Sequence, residues 1–297
     1  MQQGDTVAIV SPSGPPDAVL LGRGIERLEG LGLKVVAGAH VLDRQELDYL
    51  AGDDAARAAD LQAAWCDPAV SAVFCSRGGY GAGRLLDLLD WDAMRAAGRK
   101  ILLGSSDITA LHNAFAIELG VPTLHGPMAA CDLLAGERGP EPRTLTSLRA
   151  ALFGAPEPVR GDRVLAPGRA EGVLSGGNLS LLASMCGTRW QPSFAGRIAF
   201  LEDVGEEPYR IDRMLTQLLQ AGVFDGVRGI ALGSWVDCAD PYPVLRDRLG
   251  RLGVPVLAGL AVGHGSPQMS VWLGRLGVID TESCSLAGTL GDGEQAR

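Results

Sequence analysis

Apolar positions along the first half of the chain alternate between short unbroken runs and stretches where they recur every three or four residues. "TVAIVSPSG" predicts a buried strand ending in a turn. Val19 to Leu31 carries helical spacing, and a second strand is expected at Lys34 to Val36. The pattern repeats as an Ala-rich helix from Asp54 to Trp65, a strand "AVFCS", the Gly-rich turn "RGGYGAG", a helix around Leu85 and the strand "KILLG". Ile108, Leu111, Phe115 and Leu119 then predict a further helix, stopped by Gly120. Such alternation implies a parallel sheet with helices on both faces. Ligands in such sheets sit at the carboxyl ends of the strands.

Between Leu134 and Gly172 the chain becomes rich in Pro, Gly and Arg, with one helix-length patch at Thr144 to Leu152. The domain boundary is expected here. The division is an N-terminal domain over 1–150, a linker over 151–170 and a C-terminal domain over 171–297. The second half has its own strands, "RIAFLEDV", "GIALGSW" and "VPVLAGL", and a helix from Tyr209 to Leu219 with Ile211, Leu215 and Leu218 on one side. The expected fold class is α/β, with a doubly wound, largely parallel N-terminal domain and a C-terminal domain of mixed strands and helices.

Composition narrows the function. The 297 residues are 46% hydrophobic, ample for a core, and carry 26 basic against 35 acidic residues, a net charge of −9. With no basic cluster to follow a phosphate backbone, nucleic acid is not expected as a partner. The N-terminus lacks a basic region followed by a long apolar run, and no stretch reaches a membrane span, so a cytoplasmic protein is expected. The cysteines Cys66, Cys75, Cys131, Cys186, Cys238 and Cys284 form no C-x-x-C pair and have no histidine at ligand spacing. Neither a disulfide framework nor a metal site is indicated.

Three reactive groups fall just past apolar strands. Ser106 follows "KILLG", where serine and aspartate can cap a helix or present a hydroxyl at a sharp strand-to-helix turn. Glu202 ends "RIAFL", and His264 stands between glycines in "AVGHGS". Ser, Glu and His could supply a nucleophile, an orienting carboxylate and a base; each could equally be a cap, a surface acid and a loop histidine. Glu202 is expected to reach the Nδ1 side of His264, with Asp203, Glu206 and Glu207 facing solvent or the following helix. Gly78, Gly79 and Gly81 follow a strand, where bare backbone N–H groups can approach a ligand or merely open a helix. Neither a P-loop lysine nor the acid of a dinucleotide site accompanies them. Arg77 could meet a carboxylate or bridge to a neighbouring helix.

Together "GDTVAIVSPSG", "RGGYGAGRLL", "GSSDIT", "HGPM", "SGGNLSLL", "LEDVGEEPYRIDRML" and "GHG" resemble the serine LD-carboxypeptidase family, which includes muramoyl-tetrapeptide carboxypeptidases and microcin C immunity peptidases. The resemblance implies a hydrolase with Ser106 as nucleophile, Glu202 and His264 completing a triad, and oxyanion donors from the backbone N–H groups of Asp107 and of Gly78 or Gly79. Asp107 would also cap the following helix, and Ser105 would pack or line the pocket. Arg77, Tyr80, Asn178 and Trp235 are further substrate-binding candidates; Trp235 and Trp272 could offer a shelf for a base or belong to the core. The expected substrate is a murein tetrapeptide cleaved before its C-terminal D-amino acid. The alternatives are a peptidyl or aminoacyl nucleotide amide, and a non-catalytic peptide- or sugar-binding module. No cofactor is expected, and a homodimer is the expected assembly.

Overall fold

The computed structural model describes residues 1–288 and divides into two units, Met1–Gly154 and Ala155–Arg297. In the first unit the strands are β1 (Thr6–Val10), β2 (Lys34–Ala37), β3 (Val70–Cys75), β4 (Ile101–Gly104) and β5 (Thr123–His125). The helices are α1 (Ala18–Gly30), α2 (Asp54–Cys66), α3 (Trp91–Ala96), α4 (Thr109–Glu118), α5 (Asp132–Ala135) and α6 (Pro142–Phe153). The five strands are parallel, in the order β5-β4-β3-β1-β2. This is a doubly wound order whose direction reverses between β1 and β3, the place where such sheets open a crevice beyond their carboxyl ends. Trp65 of α2, Phe115 of α4 and Trp91 of α3 pack edge to face, with centroids 4.8 and 5.6 Å apart, which ties the three helices into one core.

The helix expected around Leu85 is instead a single 3-10 turn over Ala82–Leu85, and α3 begins only at Trp91. Gly79 and Gly81 at φ of 111° and 127° hold the preceding backbone in a region closed to other residues, so a full helix cannot start there.

The second unit contains β6 (Val159–Arg160), β7 (Arg163–Ala166), β8 (Arg169–Asn178), α7 (Leu179–Ser184), β9 (Arg197–Val204), α8 (Pro208–Gln220), β10 (Gly229–Val236), α9 (Tyr242–Leu249), β11 (Val256–Ala258), β12 (Val271–Leu273), β13 (Leu276–Asp280) and β14 (Ser285–Gly288). Eight strands form a mixed sheet in the order β6-β14-β13-β8-β9-β10-β11-β7. Its centre, β8-β9-β10-β11, is parallel. Strands β6 and β7 lie in the Pro-, Gly- and Arg-rich stretch expected to be linker.

Strand β9 is buried on both faces. Ala199 and Leu201 join Leu179, Leu182, Ile211, Leu215, Leu218, Leu245 and Leu249 in a core beneath α7, α8 and α9. Ile198 and Phe200 enter a second core with Ala231, Leu257 and Ile279. Strand side chains alternate faces, so Glu202 continues the Phe200 face and Asp203 the Leu201 face.

Gly176 of β8 lies opposite Phe200 with φ of 136°, and a Cβ there would sit 2.0 Å from the Phe200 carbonyl oxygen. Gly176→Ala is expected to cost about 1–3 kcal/mol from backbone strain alone, seen as a lowered urea midpoint. An unchanged midpoint would contradict this close pairing of β8 with β9.

Candidate functional site

In the first unit, Ser106 stands two residues past the end of β4, at a φ of 61°; only four non-glycine residues adopt a positive φ among the described residues of the chain. Such a conformation is uncommon and persists only where surroundings enforce it. Ser105, 5% exposed and extended, precedes it. A 3-10 turn over Ser106–Ile108 then leads into α4. The turn after β3 lies against the serine: a Cβ built on Gly78 would stand 2.8 Å from Ser106 Cβ, 3.0 Å from its Oγ and 3.5 Å from the Asp107 nitrogen. Only glycine allows this approach. Gly78 also receives the Gly14 N–H on its carbonyl at 3.1 Å. The loops after β1, β3 and β4 therefore meet at the carboxyl end of the sheet.

Contrary to the expectation that Asp107 would cap the following helix, no side-chain capping bond is made at the start of α4. With Ser106 at positive φ, the carboxyl group turns inward, where Oδ2 accepts from Ser13 Oγ at 2.6 Å and from the Ala82 N–H at 2.8 Å. Burial raises its pKa, and the bonds from Ser13 and Ala82 and the charge of Arg57 oppose that rise.

In the second unit, Glu202 is fully buried and its Oε2 lies 2.6 Å from His264 Nδ1. The same oxygen accepts the His264 backbone N–H at 3.2 Å. A carboxylate can only accept, so Nδ1 carries the proton, and Nε2 of the neutral ring is left with its lone pair. Gly263, at φ of 111°, makes room: a Cβ there would sit 2.5 Å from Glu202 Oε2. Ser234, at the end of β10, secures the loop by accepting the Gly265 N–H on Oγ at 2.9 Å and donating its own N–H to Val262 at 2.8 Å. Sequence reasoning passed over Ser234; its signal was a hydroxyl at the tip of "GIALGSW". Burial pulls the His264 pKa down, but the Glu202 hydrogen bond and charge, with the charge of Asp203, more than offset it and the net shift is upward.

Asp203 corrects the expectation that it would face solvent or the following helix. It is 2% exposed, and it accepts from Asn178 Nδ2 at 2.8 Å, the Val204 N–H at 2.9 Å and the Ser180 N–H at 3.0 Å. Alternation on β9 puts it beneath the start of α7. Burial pushes its pKa to about 6. Glu206 is half-buried, 3.8 Å from Arg210, and Glu207 is exposed.

The weaker candidates separate. Asn178 caps α7, with Oδ1 accepting from Ser180 Oγ at 2.7 Å and the Leu181 N–H at 3.2 Å. Trp235 packs against the α7–α9 core, and Arg275 covers the Trp272 ring at 3.8 Å. Tyr80 is 53% exposed, edge-on to Tyr49. Arg77 is exposed and donates to the Pro15 carbonyl at 3.2 Å, with no bridge to a neighbouring helix among the described residues. Of the other histidines, His40 contacts Asp43 near the surface and His112 is buried, its pKa lowered to about 4 by burial.

Residues 7–126 match the family model described as the LD-carboxypeptidase N-terminal domain, and residues 171–279 that of the C-terminal domain. A Streptomyces coelicolor protein provisionally named a carboxypeptidase is 54% identical over 294 residues, covering 95% of this chain and 93% of its own. The murein tetrapeptide carboxypeptidase of Pseudomonas aeruginosa is 36% identical, covering 92% of each chain. Among solved structures, muramoyltetrapeptide carboxypeptidase from Oxalobacter formigenes is 30% identical with a TM-score of 0.86, covering 97% of this chain and 99% of its own. The microcin C7 self-immunity protein MccF, in complex with glutamyl sulfamoyl guanosine, is 27% identical with a TM-score of 0.87, covering 98% of this chain and 97% of its own. The fold and the matched residues define a two-domain peptidase of the hydrolase class. The chain belongs to the LD-carboxypeptidase family, peptidase family S66.

The His264–Glu202 pair can be tested apart from any reaction. NMR titration is expected to place the His264 pKa above the ordinary 6.5, with the neutral ring lost as pH falls through that raised value. Glu202→Gln removes the charge and leaves burial dominant, so the pKa should drop; an equal or higher value in the variant would contradict the assignment of cause.

Proposed function

We propose that the protein is a serine LD-carboxypeptidase that removes the C-terminal D-amino acid from a murein tetrapeptide. Ser106 is the nucleophile, His264 its general base and Glu202 the carboxylate that orients the imidazole. The observation that carries this reading is the buried Glu202 carboxylate 2.6 Å from His264 Nδ1, an arrangement that leaves Nε2 as a base.

Ser106 Oγ attacks the scissile carbonyl carbon as Nε2 takes its proton. Negative charge builds on the former carbonyl oxygen, which the N–H groups of Asp107 and of Gly78 or Gly79 stabilise. The imidazolium returns the proton to the leaving amine, the C–N bond breaks and the D-amino acid departs. Water, deprotonated by the same imidazole, then attacks the acyl-serine and regenerates the enzyme. Glu202 orients the imidazole and favours its charged form. Arg77, outside the ion pairs of the first unit, is the cation that would hold the substrate's terminal carboxylate.

A second reading has one observation in its favour. MccF is solved with glutamyl sulfamoyl guanosine and with aspartyl sulfamoyl adenosine, so an aminoacyl or peptidyl nucleotide amide is the competing substrate class. The six cysteines are unpaired, which suits a reducing compartment, and we place the enzyme in the cytoplasm. The expected homodimer is a light-scattering measurement.

Mass spectrometry of a murein tetrapeptide and of a nucleotide-linked peptide after incubation decides between the substrates; release of the D-amino acid is expected. Ser106→Ala should lower turnover on the order of 10⁶-fold, whereas Ser105→Ala should cost far less. If Ser105 proves the essential residue, the nucleophile is wrong. The rate should fall as pH drops through the raised His264 pKa. Amidating the tetrapeptide C-terminus should reduce kcat/KM by about 10²-fold or more; equal rates would favour the nucleotide amide.

A further inference from the structure

The side chain of Asp107 has no part in the chemistry above, yet it is among the most enclosed polar groups of the first unit, at 1% exposure. Two of its partners come from other loops. Ser13 lies in the turn after β1 and reaches Oδ2 at 2.6 Å. Ala82 opens the 3-10 turn after Gly81 and donates its N–H to the same oxygen at 2.8 Å. Arg57 of α2, also 1% exposed, joins the same two loops from below: its guanidinium donates to the Pro12 carbonyl and, at 3.1 Å, to the Gly81 carbonyl, while pairing with Asp54. The Gly14 N–H bond to the Gly78 carbonyl at 3.1 Å closes the arrangement.

The residue after Ser106 thus carries a backbone N–H on one side of the turn and a carboxylate on the other. That carboxylate is anchored to the loop after β1 through Ser13 and to the end of the Gly78–Gly81 loop through Ala82. A shift of either loop would move Gly78 relative to Ser106, where there is no slack.

We infer that the Asp107 carboxylate is a positioning residue: by binding Ser13 Oγ and the Ala82 N–H it holds the Gly78–Gly79 turn and the Ser106 turn in register, so that their N–H groups converge on one oxyanion. It acts through the backbone and does not touch substrate. Both bonds fall on the one oxygen Oδ2, which an asparagine amide oxygen could also supply, so the variant that removes the acceptor is Asp107→Ala.

This inference rests on the serine-peptidase reading, and the experiment separates the two. Wild type, Asp107→Ala, Ser13→Ala and the double variant are compared for kcat and KM on the tetrapeptide, for thermal unfolding, and for the rate at which a fluorophosphonate probe labels Ser106. Misplaced donors cost transition-state stabilisation without costing ground-state binding. Asp107→Ala is expected to lower kcat about 10²-fold with KM within about threefold of wild type, and to slow labelling in step. Ser13→Ala is expected to lower kcat by a smaller factor, and in the Asp107→Ala background to add nothing. Unchanged kcat, a change confined to KM, or fully additive losses in the double variant would overturn the inference. If Asp107→Ala does not unfold cooperatively, Ser13→Ala decides alone: a fall in kcat at constant KM supports the role and an unchanged kcat overturns it. A wild-type enzyme that neither cleaves the tetrapeptide nor labels at Ser106 would sink the functional reading itself.

Discussion

The second unit is organised around a carboxylate placed where water does not reach. Burying a charged group is unfavourable unless donors replace the lost solvation, and Glu202 meets this demand with two donors from one residue, the ring and backbone N–H groups of His264. The surroundings follow from that. Position 263 must be glycine, because any side chain there would collide with the carboxylate. Ser234 must hold the loop that brings the histidine back to β9. The strand itself has to be central and rigid, and it is buried on both faces between parallel neighbours. Asp203, one residue further, turns to the opposite face and secures the start of α7, so two adjacent acids do unrelated work.

The first unit solves a different problem, that of presenting the hydroxyl of the proposed nucleophile while its backbone stays fixed. A positive φ at Ser106 costs energy that the neighbouring contacts must offset. The flavodoxin-like strand order brings three strand ends together where the direction of the sheet reverses, and buried polar groups there link loop to loop. Arg57 and Asp107 thereby belong to the geometry of the Ser106 turn. Local charge and hydrogen bonding dominate here, while the apolar packing of Trp65, Trp91 and Phe115 provides a firm base.

Most of this framework was legible in the sequence because long apolar runs and helical spacing are strong signals. "RIAFLEDV" is β9 residue for residue, and the helix expected from Tyr209 to Leu219 is α8 with one residue added at each end. Less regular elements escaped. Strand β8, "RAEGVLSGGN", is weak in periodicity and ends in two glycines at positive φ, so composition marks a loop where pairing to β9 makes a strand. The candidate residues Ser106, Glu202 and His264 were singled out by their places at strand ends and by the family motifs, and the pairing expected of Glu202 with His264 Nδ1 is present. What neither spacing nor motif could reveal was the destination of side chains: that Asp107 reaches Ser13 rather than its own helix, and that Asp203 turns inward. Those depend on which loops become neighbours, a property of the folded sheet and not of local sequence.

The account's central claim is that chemistry passes through a covalent bond at Ser106, and a rapid-quench experiment tests it directly. Wild-type enzyme mixed with excess tetrapeptide and stopped in acid should carry an added mass equal to the tripeptide acyl group, and peptide mapping should locate it on Ser106. An adduct mapped to Ser105 or to another residue, or hydrolysis at full rate in which isotopic water oxygen enters the product without any trace of an acyl-enzyme, would contradict the mechanism.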